Sequence, residues 1–306
     1  MIADSSPAPI PARLAAAPEQ GPTVSFELFP PRSAAGEASL WAAIARLAEA
    51  APDFISVTYG ASGSSRDTSR AVVRHVLEHT QVRPVAHLTC IASERSELRT
   101  IAEGFLADGV RDVLALRGDP PAGAEPWVPP VDGLSRASEL VAFLREIDPA
   151  VAIGVAATPS CLPAVPEPDA PLCGDLLALR AKQDAGAQYA ITQVFFEADS
   201  YRRYVAAARA AGVDLPIIPG IVPLEDPARL RRLQEISGVP VPGALLDRLD
   251  SETDEQRRRA AGLELGAELV SEVLEAGAPG LHLYTFNQSR ASIALLDRLG
   301  LRSGAA

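Results

Sequence analysis

From Val24 onwards, short apolar runs rich in β-branched and aromatic residues alternate with longer Ala/Leu/Arg/Glu segments of helical period, the pattern of repeated βα units around a parallel sheet. Strands are predicted at residues 24–29 (VSFELF), 54–58 (FISVT), 84–88 (PVAHL), 112–116 (DVLAL), 152–157 (AIGVAA), 189–195 (YAITQVF), 216–220 (PIIPG) and 281–286 (LHLYTF), eight in all. Amphipathic helices are predicted between them, such as GEASLWAAIARLAEAA, DTSRAVVRHVLEHT and SERSELRTIAEGFLADG. The last of these opens with Ser93 as N-cap and closes at Gly109. Eight strands and eight helices in a chain of this length predict an α/β fold, a (β/α)8 TIM barrel, with extra helices over residues 237–280 between strands 7 and 8.

Two Pro-rich loops, 120–130 after strand four and 159–171 after strand five, follow strand C-termini, where barrels build their active sites. Residues 1–22, broken by Pro7, Pro9, Pro11 and Pro18, read as a flexible N-terminal tail, which leaves 23–306 as a single catalytic barrel domain.

Composition narrows the function. Apolar residues make up 47% of the 306 against 22% charged, enough for a large core and too little charge for a disordered chain. A net charge of −11 opposes a sequence-independent grip on nucleic acid or on an anionic membrane face. Lys182 is the single lysine, so an anionic ligand must find local arginines. The three cysteines, Cys90, Cys161 and Cys173, lack the close spacing of a zinc or redox motif and fit a reducing cytoplasm. No apolar run approaches the roughly 18 residues of a membrane helix.

In a barrel, polar residues at strand C-terminal ends face the site. Here these are Glu27, Thr58, His87, Arg117 with Asp119, Thr158, Gln193, and Tyr284 or Thr285. Glu27 stands between Phe26 and Leu28 in an otherwise apolar run, so alternation turns it away from them and into the barrel. Partial desolvation there favours the protonated acid, as general acid catalysis near neutral pH requires; a salt bridge to Arg32 is the alternative use. Gly118, between Arg117 and Asp119, permits a tight turn or close backbone approach to a ligand, although RGDPP also reads simply as a turn. His87 alone reads as a core histidine.

HVLEH, residues 75–79, fits the H-x-x-E-H zinc-peptidase pattern, yet it ends an outer helix on the face opposite a barrel's active site. No metal is therefore expected. Lys182 lies in a helical stretch and not on a strand, which disfavours a Schiff-base role and points to ion pairing or a phosphate contact. The absence of G-x-G-x-x-G and of G-x-x-x-x-G-K-[ST] excludes a Rossmann dinucleotide site and a P-loop.

SFELFPPR, SVTYGASGSSRD, AHLTC, LALRGDPP, DAGAQYAITQVFF, IIPGI and LHLYTFN, in this order over residues 24–287, resemble the methylenetetrahydrofolate reductases. The resemblance implies reduction of 5,10-methylenetetrahydrofolate to 5-methyltetrahydrofolate with NADH or NADPH, usually through bound FAD. It implies Glu27 as the general acid that protonates N10, Asp119 as the carboxylate that holds the pterin and stabilises the 5-iminium cation, and Gln193 on the pterin edge, with Tyr284 beside the substrate. Thr58, Tyr59, His87, Arg117, Asp175 and Lys182 stand where family members contact FAD, and Gly118 lies among them.

Other flavin contacts are missing. The family's Tyr-Pro-Glu-x-His-Pro run reads Thr158, Pro159, Ser160, Cys161, Leu162, Pro163; its Tyr-Ala-x-Asp-Leu pattern reads Arg136, Ala137, Ser138, Glu139, Leu140; and the basic residue before its lysine is Ala181. These losses resemble a flavin-free branch that passes hydride directly from NADH or NADPH. The alternatives are the same reaction through FAD and a barrel that binds folate or nucleotide without chemistry.

Overall fold

The structure, a computed structural model, describes residues 8–59, 63–119, 128, 130–162 and 173–302. The first seven residues of the expected tail, and all but 128 and 130 of the loop 120–130, lie outside the described residues, as does 163–171 of the second loop.

Strands β1 (Thr23–Leu28), β2 (Phe54–Val57), β3 (Arg83–Thr89), β4 (Asp112–Leu116), β5 (Ala152–Ala157), β6 (Tyr189–Thr192), β7 (Ile217–Ile218), β8 (Gly220–Ile221) and β9 (Gly280–Tyr284) run parallel in one sheet. Their count exceeds the predicted eight because the seventh barrel strand is broken at Pro219. Its first half pairs with β6 and its second with β9, which also pairs with β1 and so completes the circuit. Proline has no N–H for the ladder, but the Pro219 carbonyl still accepts from the His282 N–H at 3.0 Å.

Around the barrel lie α3 (Ala34–Ala48), α4 (Gly63–His79), α5 (Arg95–Asp108), α6 (Ala137–Ile147), α7 (Gly174–Asp184), α8 (Ala198–Ala210), α11 (Glu255–Glu275) and α12 (Ser289–Leu299). The extra helices expected between the last two barrel strands are α9 (Pro227–Ser237) and α10 (Gly243–Asp250), which begin earlier than predicted and build a satellite core with Leu230, Leu249 and Val222. Helix α5 ends as expected at Gly109, in the left-handed region at φ 102°. Its N-cap residue is Glu94 and not Ser93, whose hydroxyl accepts from Arg66 at 3.0 Å.

Alternation sorts each strand into two faces. Phe26 and Leu28 pack outward in the main core, whereas Ser25 and Glu27 turn inward to His282. Phe54, Val85, Leu114, Tyr189, Ile191 and Ile218 fill the floor together with Ile10 and Leu14.

Those last two residues correct the expectation of a tail. Residues 10–20 form two short helices, α1 (Ile10–Ala15) and α2 (Ala17–Gln20). Ile10 and Leu14, four apart on one helix face, plug the floor, and Arg13 pairs with Asp53 at 2.7 Å. Pro11 and Pro18 sit in the first turns of these helices, where a missing N–H is tolerated.

The cysteines also depart from the reducing-compartment reading. Cys161 and Cys173 form a disulfide with Cα atoms 6.0 Å apart, and Cys90 is free and buried. A separation of 12 residues carries no pairing signal in the sequence; the barrel brings the end of β5 and the start of α7 together. Among the described residues no helix is long and apolar enough to cross a membrane.

Candidate active site

Glu27 is 7% exposed, near the C-terminal end of β1 inside the barrel. Its Oε2 lies 3.4 Å from His282 Nε2 and 3.7 Å from His87 Nε2, whereas Arg32, its alternative partner, is exposed. Burial outweighs the attraction of Glu27 and lowers the His87 imidazole to about 4, so at neutral pH that ring is uncharged. His87 is thus buried beside the acid.

Sequence reasoning missed His282 as well as Ser25 and Ser56. His282 is fully buried; Nδ1 lies 2.8 Å from Ser25 Oγ and Nε2 3.4 Å from Ser56 Oγ. Its ring stacks on Phe54 with centroids 5.8 Å apart and meets Tyr284 edge-on at 5.3 Å. The signal that singles out Glu27, a polar residue between two outward apolar ones, is present again in Leu281-His282-Leu283.

The end of β4 depends on Gly118. Its φ is +87°, and a Cβ there would stand 2.5 Å from Ile91 Cγ2, so the chain passes close over Ile91 and Thr89 before emerging. Arg117 and Asp119 are consequently exposed; Arg117 Nε donates to the Gly118 carbonyl at 3.2 Å. Gln193, just after β6, is also exposed, with its Oε1 accepting from the Val194 N–H at 2.9 Å. Tyr284 crosses to donate to the Thr192 carbonyl at 2.7 Å. Gly220 makes room for it, since a Cβ there would meet Thr192 O at 2.3 Å and the Tyr284 ring at 2.7 Å. Burial and the nearby Glu27 charge hold the Tyr284 phenol protonated, well above its ordinary range.

The predicted flavin contacts are not all free to meet a ligand. Thr58 lies at the rim, its N–H donating to Leu28 and its carbonyl accepting from Ser69. The Tyr59 ring packs edge-on against Phe105 and beneath Arg66, on the helical side of the sheet, and burial pushes its phenol up to about 12. Asp175 accepts from the Thr158 N–H at 3.0 Å and from the Tyr204 hydroxyl at 2.5 Å. Lys182 is buried and donates to the Ala156 carbonyl at 2.8 Å. Asp175 lies near enough to favour its charge.

At the last strand Phe286 and Asn287 both take positive φ, 51° and 59°. Asn287 secures this turn by accepting from the Phe29 N–H at 2.8 Å and donating to the Phe29 carbonyl at 2.9 Å. The Phe286 ring then lies under Arg229, 5.1 Å from the guanidinium.

His75 and His79 stack on one another at 4.2 Å, and Trp41 stacks on His75 at 3.9 Å, at the end of an outer helix. Among the described residues no three His, Cys, Asp or Glu side chains cluster as a metal set.

Comparison with known proteins places this geometry. The family described as methylenetetrahydrofolate reductase matches residues 13–300. The 5,10-methylenetetrahydrofolate reductases of Salmonella typhimurium and Escherichia coli are 38% and 37% identical over 285 and 283 residues, covering 92% of both chains in each case. An Arabidopsis thaliana protein named methylenetetrahydrofolate reductase (NADH) 1 is 33% identical over 291 residues, covering 92% of this chain and 49% of its own. Among solved structures, an uncharacterised Clostridium thermocellum protein that binds two copies of 5-methyl-5,6,7,8-tetrahydrofolic acid superposes with a TM-score of 0.60 at 14% identity, covering 92% of this chain and 93% of that one. That likeness concerns the barrel alone, but a family match over nearly the whole chain and relatives of this identity settle the family. The chain belongs to the methylenetetrahydrofolate reductases, a family of oxidoreductases.

Proposed function

We propose that the protein reduces 5,10-methylenetetrahydrofolate to 5-methyltetrahydrofolate with hydride taken directly from NADH or NADPH, without a flavin between them. The observation that carries the reading is Glu27, a carboxyl buried inside the mouth and approached by two imidazoles instead of an arginine. A buried carboxyl that faces the uncharged His87 ring and no arginine is placed to pass a proton to a substrate in the mouth.

In the proposed cycle Glu27 gives its proton to N10, the bond from N10 to the bridging carbon breaks, and the 5-iminium cation forms. Asp119 offsets the positive charge and Gln193 binds the pterin edge. The nicotinamide supplies hydride to the iminium carbon; substrate, NAD(P)H and one proton become 5-methyltetrahydrofolate and NAD(P)+.

A resident FAD is a poor fit to these residues. Asp175 and Lys182 stand where the family contacts FAD, but Asp175 Oδ2 already accepts from Thr158 and Tyr204, and Lys182 Nζ already donates to the Ala156 carbonyl. Thr158, Ser160 and Leu162 stand where the family has its aromatic, acid and histidine after strand five, and Cys161 between them is tied to Cys173. These internal bonds, together with the missing side chains, favour direct transfer, with Thr58, His87, Arg117 and Gly118 around the nicotinamide. The experiment is turnover by purified protein with no added flavin, together with its absorbance spectrum. Sustained reduction by a colourless protein is expected; flavin released at near one per chain, or ping-pong kinetics, would overturn the flavin-free reading.

A further inference from the structure

We propose that the Cys161–Cys173 disulfide is a redox-sensitive site, opened by a dithiol reductant, and that its oxidised state is the one that binds the nicotinamide dinucleotide tightly. This rests on the reading of the chain as a reductase that takes hydride directly from NADH or NADPH.

The bond joins two elements at the mouth of the barrel. Cys161 ends the 3-10 turn Pro159–Cys161 that follows β5, and Cys173 is the N-cap residue of α7. Two hydrogen bonds hold the same elements together: Asp175, in the first turn of α7, accepts from the Thr158 N–H at 3.0 Å, and Lys182, in its last turn, donates to the Ala156 carbonyl at 2.8 Å. Of these three ties the disulfide is the covalent one. It closes a separation of 12 residues, so breaking it returns conformational freedom to both of its ends. Those ends adjoin the cofactor side of the mouth: β5 pairs with β4, whose end leads into Arg117 and Gly118, and Arg117 lies near enough to oppose the charge on Lys182.

The chemistry is thiol–disulfide exchange. A thiolate of the dithiol attacks one sulfur of the pair, the S–S bond breaks, and the other sulfur leaves as a thiolate; the second thiol of the reagent then resolves the mixed disulfide. The protein gains two electrons and two protons as two thiols, and the reductant ends as its own disulfide. Cys161 and Cys173 are half-buried, so neither is closed off in the core. Cys90 is buried and its thiol is pushed up to about 11 by that burial, which keeps it out of the exchange. In the cytosol, where NADH and NADPH serve reductases, thiols are kept reduced and a disulfide is usually transient and redox-sensing rather than a permanent staple. With the bond closed, the turn after β5 and the first turn of α7 are fixed before the dinucleotide arrives. With it open, they are ordered as the dinucleotide binds, at a cost taken from affinity.

The test is the dissociation constant of the full chain for NADH and for NADPH, read by nicotinamide fluorescence after equilibration with oxidised or with reduced dithiothreitol. Flavin-free turnover of 5,10-methylenetetrahydrofolate is measured on the same samples. Reduction is expected to weaken dinucleotide binding about three- to tenfold, the cost of ordering roughly one side chain, with KM for the folate little changed, and reoxidation is expected to restore it. The double variant Cys161→Ser, Cys173→Ser should bind like the reduced parent in both media. Reversal by reoxidation tests the proposal on the parent even if that variant fails to fold. Equal affinity in the two media, whatever happens to the unfolding midpoint, would make the bond a structural staple and overturn the proposal, as would a disulfide that reduced dithiothreitol leaves intact in the folded protein. If neither form turns over without flavin, the direct-transfer reading fails on its own account, and the two affinities still decide the role of the disulfide.

Discussion

Lys182 donates from Nζ to the main-chain carbonyl of Ala156 across 2.8 Å, and that bond turns the chain's single lysine into the barrel wall. Burial lowers its affinity for a proton, while Asp175 supports the charge. Lys182→Met should therefore leave the KM for the nicotinamide within about twofold, and cost about 1–2 kcal/mol of stability through the unpaired carbonyl. A tenfold rise in KM at unchanged stability would put the ammonium on the cofactor instead.

The floor of the barrel offers a second test. Leu14 is 3% exposed and packs with Ile10 against Phe54 and Ile218. Leu14→Ala should cost about 2–4 kcal/mol in urea unfolding, the usual range for a buried leucine. A loss below about 0.5 kcal/mol, typical of surface positions, would mean that α1 does not plug the floor.

The barrel and the acid were legible in the sequence because both are written in alternation. Apolar runs set the strands, and the break in Phe26-Glu27-Leu28 marks an inward carboxyl. His282 carries the same mark, but a lone histidine in a strand has no partner in sequence; its partners Ser25 and Glu27 are more than 250 residues away. The plug was hidden for a different reason. Proline suggests an unstructured segment, and only the open floor of a folded barrel turns Ile10 and Leu14 into core residues. The use of Lys182 and Asp175 inside the protein likewise depends on side-chain direction, which residue order does not supply.

His87 makes stability depend on pH. Burial lowers it to about 4 in the folded protein, against about 6.5 for an unperturbed histidine. Between those values the unfolded chain binds the proton and the folded one does not, so acidification favours unfolding. This contribution to stability is full above the unfolded value and is lost as pH falls towards the folded one. The parent should lose roughly 2 kcal/mol from this group between pH 7.5 and pH 5. Denaturant titration of His87→Gln should show a correspondingly shallower dependence; equal losses in parent and variant would contradict the assignment.

Cys161 and Cys173 give a direct chemical test. The protein unfolded without reductant should present one titratable thiol, that of Cys90, and three after reduction. Exchanging Cys161 and Cys173 for Ser should cost about 2–3 kcal/mol, the expectation for closing a loop of this length. Three thiols before reduction would show that the pair is not bonded.

Direct hydride transfer is tested most sharply by isotope. The protein is supplied in ordinary water with NADH or NADPH deuterated at both C4 positions, and the methyl group of the 5-methyltetrahydrofolate formed is examined by mass spectrometry. Direct transfer from the nicotinamide to the iminium carbon predicts one deuterium in that methyl group at each turnover, because no exchangeable position intervenes. A product methyl without deuterium, its label lost to water through an intermediate carrier such as a flavin, would contradict it.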